Sequence, residues 1–227
     1  MLSESTVLAG SPALPVPAPI PRLRGLLHAA TFPLVIAAGF VLVALARTPG
    51  ARLASAVYAL TSASLFGISA AYHRARPGSD LKDVLHRLDH ANIYLIIAGT
   101  YTPIALLALH GTYRVVVLTT IWTGAIAGIA FRILWRRAPR WLTTAVYLVL
   151  GWVAIGVLPQ LLRGAGIAAL LLVIAGGLLY SAGGLVYVMR RPDPSPRWFG
   201  FHEVFHAFTI AAYMAQYIAV LLLVYRA

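Results

Sequence analysis

The chain has 227 residues, of which 60% are hydrophobic and 11% are charged, whereas an ordinary soluble domain has roughly 25% charged residues. This composition excludes a water-soluble fold, because so few charges cannot cover that much apolar surface. The formal net charge of +12 would suit nucleic acid, but the cations occur in short clusters between apolar runs, with no nucleic-acid-binding motif. The absence of cysteine excludes disulfides and thiolate metal ligands. The composition therefore predicts a membrane protein that binds no nucleic acid.

The chain begins with a proline-rich segment. Five prolines between positions 12 and 21 interrupt any continuous apolar stretch, which argues against a cleavable signal peptide. We interpret residues 1–25 as a disordered cytoplasmic tail and residues 26–227 as the transmembrane domain.

Seven apolar runs follow the tail, each long enough for a helix that crosses a bilayer core, which needs about 20 residues. They are Leu26–Ala46, Leu53–Tyr72, Leu88–Leu109, Val115–Leu134, Leu142–Leu162, Ile167–Met189 and Phe201–Tyr225. The connections between them are short and rich in proline, glycine and aspartate. The sequence predicts an all-α bundle of seven transmembrane helices without a soluble domain.

Positive charge divides the loops into two groups. The tail and the second, fourth and sixth connections hold 13 of the 18 lysines and arginines, and the opposite side holds five. Cytoplasmic loops carry the excess of these residues in membrane proteins. The bias predicts a cytoplasmic N-terminus and an external C-terminus in a multi-pass protein of the cell membrane. The residue composition suggests the plasma membrane of a bacterium.

The start of the seventh run carries two histidines four residues apart, His202 and His206, with Glu203 between them. Histidines at i and i+4 share one helix face and can bind one cation, and the glutamate is placed to handle a proton. A catalytic zinc site usually has three protein ligands and one open position. No residue after His206 is a usual zinc ligand, so the third ligand is expected upstream.

The predicted topology brings other polar residues to the same membrane depth. His73 ends the second run and Asp89 opens the third, so both reach the end at which the seventh helix starts. His73 is the predicted third ligand, and His86 or His90 could take its place. His28 also lies at this depth, without a patterned partner. Three neutral imidazoles suit zinc and its borderline-soft relatives better than a hard cation.

Ser69 lies four residues before His73, on the same face of the helix. It is either an ordinary serine that bonds back to a helix carbonyl or a residue of the metal site.

Four short motifs occur in order along the chain: Ser69–His73 (SAAYH), Asp89–Ile93 (DHANI), Gly99–Pro103 (GTYTP) and Phe201–His206 (FHEVFH). Together they resemble the progestin and adipoQ receptor family, and in particular its bacterial branch, the hemolysin III proteins. The resemblance covers about Leu26 to Tyr225, which is all of the chain except the tail.

This resemblance implies seven helices, a cytoplasmic N-terminus and a zinc ion bound by His73, His202 and His206. It also implies that Asp89 and Ser69 lie close to the water that the metal activates. The eukaryotic relatives are receptors for which lipid amide hydrolysis has been proposed. The bacterial relatives carry the hemolysin name and are linked to membrane lipid homeostasis.

The residues and the resemblance together favour a zinc-dependent hydrolase that acts on lipid amides or esters within the membrane. Asp89 is the first candidate to orient or deprotonate the attacking water, Glu203 is the second, and Ser69 could hydrogen-bond the water or the oxyanion. The alternatives are a structural zinc, a metal-dependent lipid sensor without catalysis, a cytolytic or pore-forming protein, and an intramembrane metalloprotease. Membrane lipids are the expected partners, and the oligomeric state does not follow from the sequence.

Overall fold

The computed structural model describes residues 21–135 and 137–227, so the first 20 residues of the predicted tail lie outside it. Its helices, in chain order, are α1 (Leu26–Leu45), α2 (Pro49–Arg74), α3 (Asp80–Ala108), α4 (Gly111–Leu134), α5 (Arg140–Gly151), a 3-10 helix (Val153–Val157), α6 (Leu158–Met189) and α7 (Phe201–Arg226). Within these two ranges the extended pairing is limited to one isolated bridge between Ser195 and Phe199. The predicted all-α class is confirmed.

Among residues 21–135 and 137–227, six helical stretches are long and apolar enough to cross a membrane, rather than the predicted seven. The difference arises because the predicted fifth and sixth runs lie in one 50-residue stretch, Arg140–Met189. A loop was expected at residues 163–166, but the helical path resumes there after a single left-handed residue, Gly166, with φ 78°. One glycine changes the direction of the chain without the polar loop that a sequence pattern can detect.

Helix starts on both sides of the bundle follow ordinary capping rules. The Thr48 hydroxyl caps α2 by accepting a hydrogen bond from the Ala51 N–H at 3.2 Å, and Pro49 occupies the first turn. The Ser79 hydroxyl caps α3 in the same way, accepting from the Lys82 N–H at 3.2 Å. Because the turn between α2 and α3 is short, the end of α2 and the start of α3 lie at the same end of the bundle.

Small residues allow the helices to approach closely. A Cβ at Gly183 of α6 would lie 2.9 Å from the Cβ of Phe208 of α7, and a Cβ at Gly128 of α4 would overlap the Tyr94 ring of α3. Such close contacts between helices are typical of small residues inside membrane spans. α3 is the most buried of the six spanning stretches and therefore forms the centre of the bundle.

Candidate metal centre

Three histidines from two helices converge at one end of the bundle. His73 lies in the last turn of α2, and His202 and His206 lie in the first two turns of α7. Each can offer one ring nitrogen such that all three nitrogens lie within 4.8 Å of one another. The Nε2 atoms of His73 and His202 are 3.1 Å apart. These are the three residues that the sequence predicts as ligands, and the structure brings them together.

A fourth histidine, His28 of α1, backs this cluster. Its ring stacks face to face on the ring of His206, with centroids 3.7 Å apart and an angle of 7° between the planes. The rings of His28 and Phe66 form a T-shaped contact. His28 is buried, and neither of its ring nitrogens has a hydrogen-bond partner. Because the two planes are parallel, the nitrogen lone pairs of His28 run alongside those of His206 and do not converge with them. We therefore regard His28 as support for a ligand and not as a ligand.

The start of α1 approaches His73 directly. Gly25 has φ 75°, in the left-handed region, and a Cβ on it would overlap the Cβ of His73. Glycine is thus required at this position for two reasons, backbone conformation and space. The approach places α1 against both helices that carry the predicted ligands.

Glu203, between the two histidines of α7, is fully buried and has partners for both carboxylate oxygens. Its Oε1 forms an ion pair with the Arg24 guanidinium, and its Oε2 accepts a hydrogen bond from the Gly200 N–H at 2.9 Å. The second contact satisfies an N–H group at the start of α7. This predicted proton-transfer residue therefore ties the start of α7 to the start of α1. Arg24, which the sequence assigns only to the charged tail, belongs to the surroundings of the site.

Ser69 and Asp89 meet across the interface between α2 and α3. The Ser69 hydroxyl hydrogen-bonds the Asp89 carboxylate. Ser69 is 2% exposed, and the Asp89 side chain is 16% exposed. Since Ser69 lies one helical turn before His73, this pair places a carboxylate beside the last turn of α2. The predicted site residues of α2 and α3 thus lie together.

His86 and His90 form a separate pair on α3. Their ring centroids are 4.5 Å apart, and the His90 Nδ1 lies 2.9 Å from the His86 carbonyl oxygen. The His86 ring contacts the Tyr72 ring, with centroids 5.3 Å apart. Neither residue belongs to the three-histidine cluster, which favours His73 over both alternatives as the third ligand.

Comparison with known proteins relates the chain to a described family. The family model for haemolysin-III-related proteins matches residues 19–217, a range that contains all four motifs. The chain is 38% identical to a hemolysin-3 homolog of Bacillus subtilis (strain 168) over 143 residues, which are 62% of this chain and 63% of that protein. It is 34% identical to hemolysin-3 of Bacillus cereus over 177 residues, or 77% of this chain and 76% of that protein. The match thus spans less than two thirds of the length of the first of these relatives.

Proposed function

The chain belongs to the haemolysin-III-related family of multi-pass membrane proteins, and from this premise we propose that it is a zinc-dependent hydrolase of lipid amides or esters. The observation that carries the proposal is the convergence of His73, His202 and His206, together with the Ser69–Asp89 pair, whose serine lies one helical turn before His73 on α2. A cluster of neutral metal ligands with a nearby acid is the arrangement that metal-assisted hydrolysis requires.

The three histidines fit zinc in number and in chemistry. Zinc binds imidazole nitrogen, and catalytic sites commonly use three protein ligands and keep a fourth position open. The two Nε2 atoms that face each other at 3.1 Å can share either a proton or a cation. When zinc is bound, it lowers the pKa of a coordinated water toward about 7 and polarises a carbonyl group.

We assign proton transfer to Asp89. The Ser69 hydroxyl donates to this carboxylate and thereby orients it. A carboxylate can accept several hydrogen bonds, so Asp89 can hold Ser69 and also take a proton from the attacking water. The same carboxyl group then returns the proton to the departing amine or alcohol, which completes hydrolysis to a fatty acid and that amine or alcohol.

Glu203 receives a different role in this proposal. Both of its oxygens are engaged, by Arg24 and by the Gly200 N–H. A proton on Glu203 would disrupt the ion pair with Arg24. We therefore assign Glu203 to the positioning of α7, and with it of His202 and His206.

We further infer seven membrane crossings with the N-terminus in the cytoplasm. A single straight helix of the 50 residues in Arg140–Met189 would be about 75 Å long, far more than a bilayer core of about 30 Å. The 3-10 segment Val153–Val157 and the left-handed Gly166 are breaks at which the stretch can divide into two crossings. The loop charges then favour the histidine cluster on the cytoplasmic side of a bacterial plasma membrane.

Reporter fusions test this topology. A reporter that works only in the cytoplasm should be active when it is fused to the N-terminus. A reporter that works only outside the cytoplasm should be active when it is fused to the C-terminus. A C-terminal fusion that is active in the cytoplasm would contradict both the seven crossings and the orientation.

Lipid profiling tests the catalytic proposal. The purified full chain, reconstituted in vesicles of bacterial lipid extract, should release fatty acid together with the matching amine, alcohol or lysolipid. Chelation should stop the release, and added zinc should restore it. The inactive control is Asp89→Asn. A zinc-loaded protein that changes no lipid amide or ester would contradict the proposal.

A second candidate function is a lipid sensor in which metal occupancy changes the helix arrangement. The observation in its favour is the stack of His28 on His206, which links α1 to a ligand of α7. Absence of lipid turnover, together with zinc-dependent changes in α1, would favour this function. Release of a dye from vesicles would test cytolysis, which the names of the Bacillus relatives suggest.

A further inference from the structure

A cavity lined by charged side chains lies at the same end of the bundle as the histidine cluster but has different walls. Its volume is about 220 Å³, and it is lined by Asp83, His86 and Arg87 near the start of α3 and by Arg132 near the end of α4. α4 runs back from the far end of α3, so all four residues lie at the end of the bundle that holds His73. Drug-sized ligands occupy cavities of about 300–1,000 Å³. The volume therefore suits a headgroup and not a whole lipid.

The charge of the cavity favours an anion. Arg87 and Arg132 supply two guanidinium groups, whereas Asp83 supplies one carboxylate. Guanidinium groups bind phosphate oxygens through paired, charge-assisted hydrogen bonds. Asp83 can accept a hydrogen bond from a hydroxyl group on the same ligand. A phosphate with a hydroxyl-bearing substituent complements all three side chains.

Exposed apolar side chains on the same ends of α3 and α4 favour a lipid as the source of that phosphate. Leu88 directly follows Arg87 on α3 and Ile133 directly follows Arg132 on α4, and both are exposed, as are Val84 and Leu134 on the same helix ends. Trp135, directly after α4, is also exposed. Tryptophan at a helix end is typical of the interface between headgroups and acyl chains. The cavity thus lies where a ligand with both an anionic and an apolar part can bind.

We propose that this cavity binds the phosphate of an anionic phospholipid, such as phosphatidylglycerol, through Arg87 and Arg132. The binding site is distinct from the three-histidine cluster. His86 lines the cavity, its ring contacts Tyr72, and Tyr72 in turn contacts His73. Lipid binding at this site does not depend on hydrolysis, so it can be tested separately from the proposed enzyme activity.

Native mass spectrometry of the full chain, titrated with lipid, tests the proposal. The variant Arg87→Gln/Arg132→Gln should bind phosphatidylglycerol roughly tenfold more weakly than the wild type, because each guanidinium contributes charge-assisted hydrogen bonds to phosphate. The matched control is Arg74→Gln/Arg76→Gln, which removes two exposed charges from the same end of the bundle without touching the cavity. The control should bind within about twofold of the wild type. Phosphatidylcholine should bind more weakly than phosphatidylglycerol, because its choline cation is repelled by the two arginines and its headgroup has no hydroxyl group for Asp83.

Several results would overturn the inference. Equal losses in the two double variants would mean diffuse attraction to the positive surface. Equal affinity for both lipids would mean that the cavity recognises neither the net negative charge nor the headgroup hydroxyls of phosphatidylglycerol. Displacement of the lipid by millimolar inorganic phosphate would make a free anion the ligand. Zinc content and size-exclusion profile show whether the double variant is folded. Should it be unfolded, Arg87→Gln replaces it, because Arg87 is exposed, and an unchanged affinity in that variant would contradict the proposal.

Discussion

Replacing Glu203 by glutamine removes a negative charge from a position that is fully buried. The amide is nearly isosteric with the carboxylate and can still accept the hydrogen bond from the Gly200 N–H. It loses the ion pair with Arg24, which joins the start of α1 to the start of α7. Since α7 carries His202 and His206, the substitution should weaken both the fold and the metal site.

The size of the effect follows from the burial of the two partners. Removal of one member of a buried ion pair costs about 3–5 kcal/mol. The Arg24 side chain is 24% exposed and therefore stays partly hydrated, and the glutamine preserves one hydrogen bond. We expect a loss of about 1–3 kcal/mol in the free energy of unfolding. At about 2–4 °C per kcal/mol for a chain of this size, Tm should fall by several degrees.

Thermal unfolding of the zinc-loaded protein in detergent measures this loss. Arg24→Gln should lower Tm by a similar amount, and the double variant should lower it by less than the sum, because the two residues share one interaction. Arg197→Gln is the charge-matched control, since Arg197 is exposed on the loop before α7. If Glu203→Gln keeps the wild-type Tm and zinc content but abolishes lipid turnover, Glu203 is the proton-transfer residue and its positioning role is excluded.

Two further substitutions separate chemistry from support. Asp89→Asn should keep zinc and Tm and lower lipid turnover by about 10²–10⁴, the usual contribution of a positioned acid or base; undiminished turnover, measured by fatty-acid release, would exclude Asp89 as that residue. His28→Leu should weaken zinc binding by roughly 2–10-fold through loss of the aromatic stack on His206, whereas His28→Phe should retain it. Competition with a chelator measures the zinc affinity of both His28 variants. Complete loss of zinc in both variants alike would mean that His28 is itself a ligand.

The ligand histidines could be predicted from the sequence because local rules place them. The i, i+4 spacing fixes His202 and His206 on one face of α7, and alternation of helix direction brings His73 to the same end of the bundle. The contacts of Arg24 with Glu203 and of His28 with His206 could not be predicted in this way. They join residues almost at opposite ends of the chain, and the first pair is 179 positions apart. Such contacts depend on how α1 packs against α7, which no local pattern records.

The number of spanning helices shows a different limit. An apolar run records how much chain can lie in a membrane, but it does not record where a helix turns. In Arg140–Met189 the break is made by a 3-10 segment and by one left-handed glycine, Gly166, and not by a polar loop. Hydropathy therefore predicts two separate spans but not the single helical stretch, with two backbone breaks, in which they lie.

The zinc content of purified histidine variants is the most direct test of the three-histidine metal centre. The wild type should contain about one zinc per chain, bound at roughly 2.0–2.1 Å by imidazole nitrogens. His73→Ala, His202→Ala and His206→Ala should each lose most of it, while His86→Ala and His90→Ala should keep it. Full zinc in His73→Ala, combined with loss in His86→Ala or His90→Ala, would contradict the assignment of the metal centre.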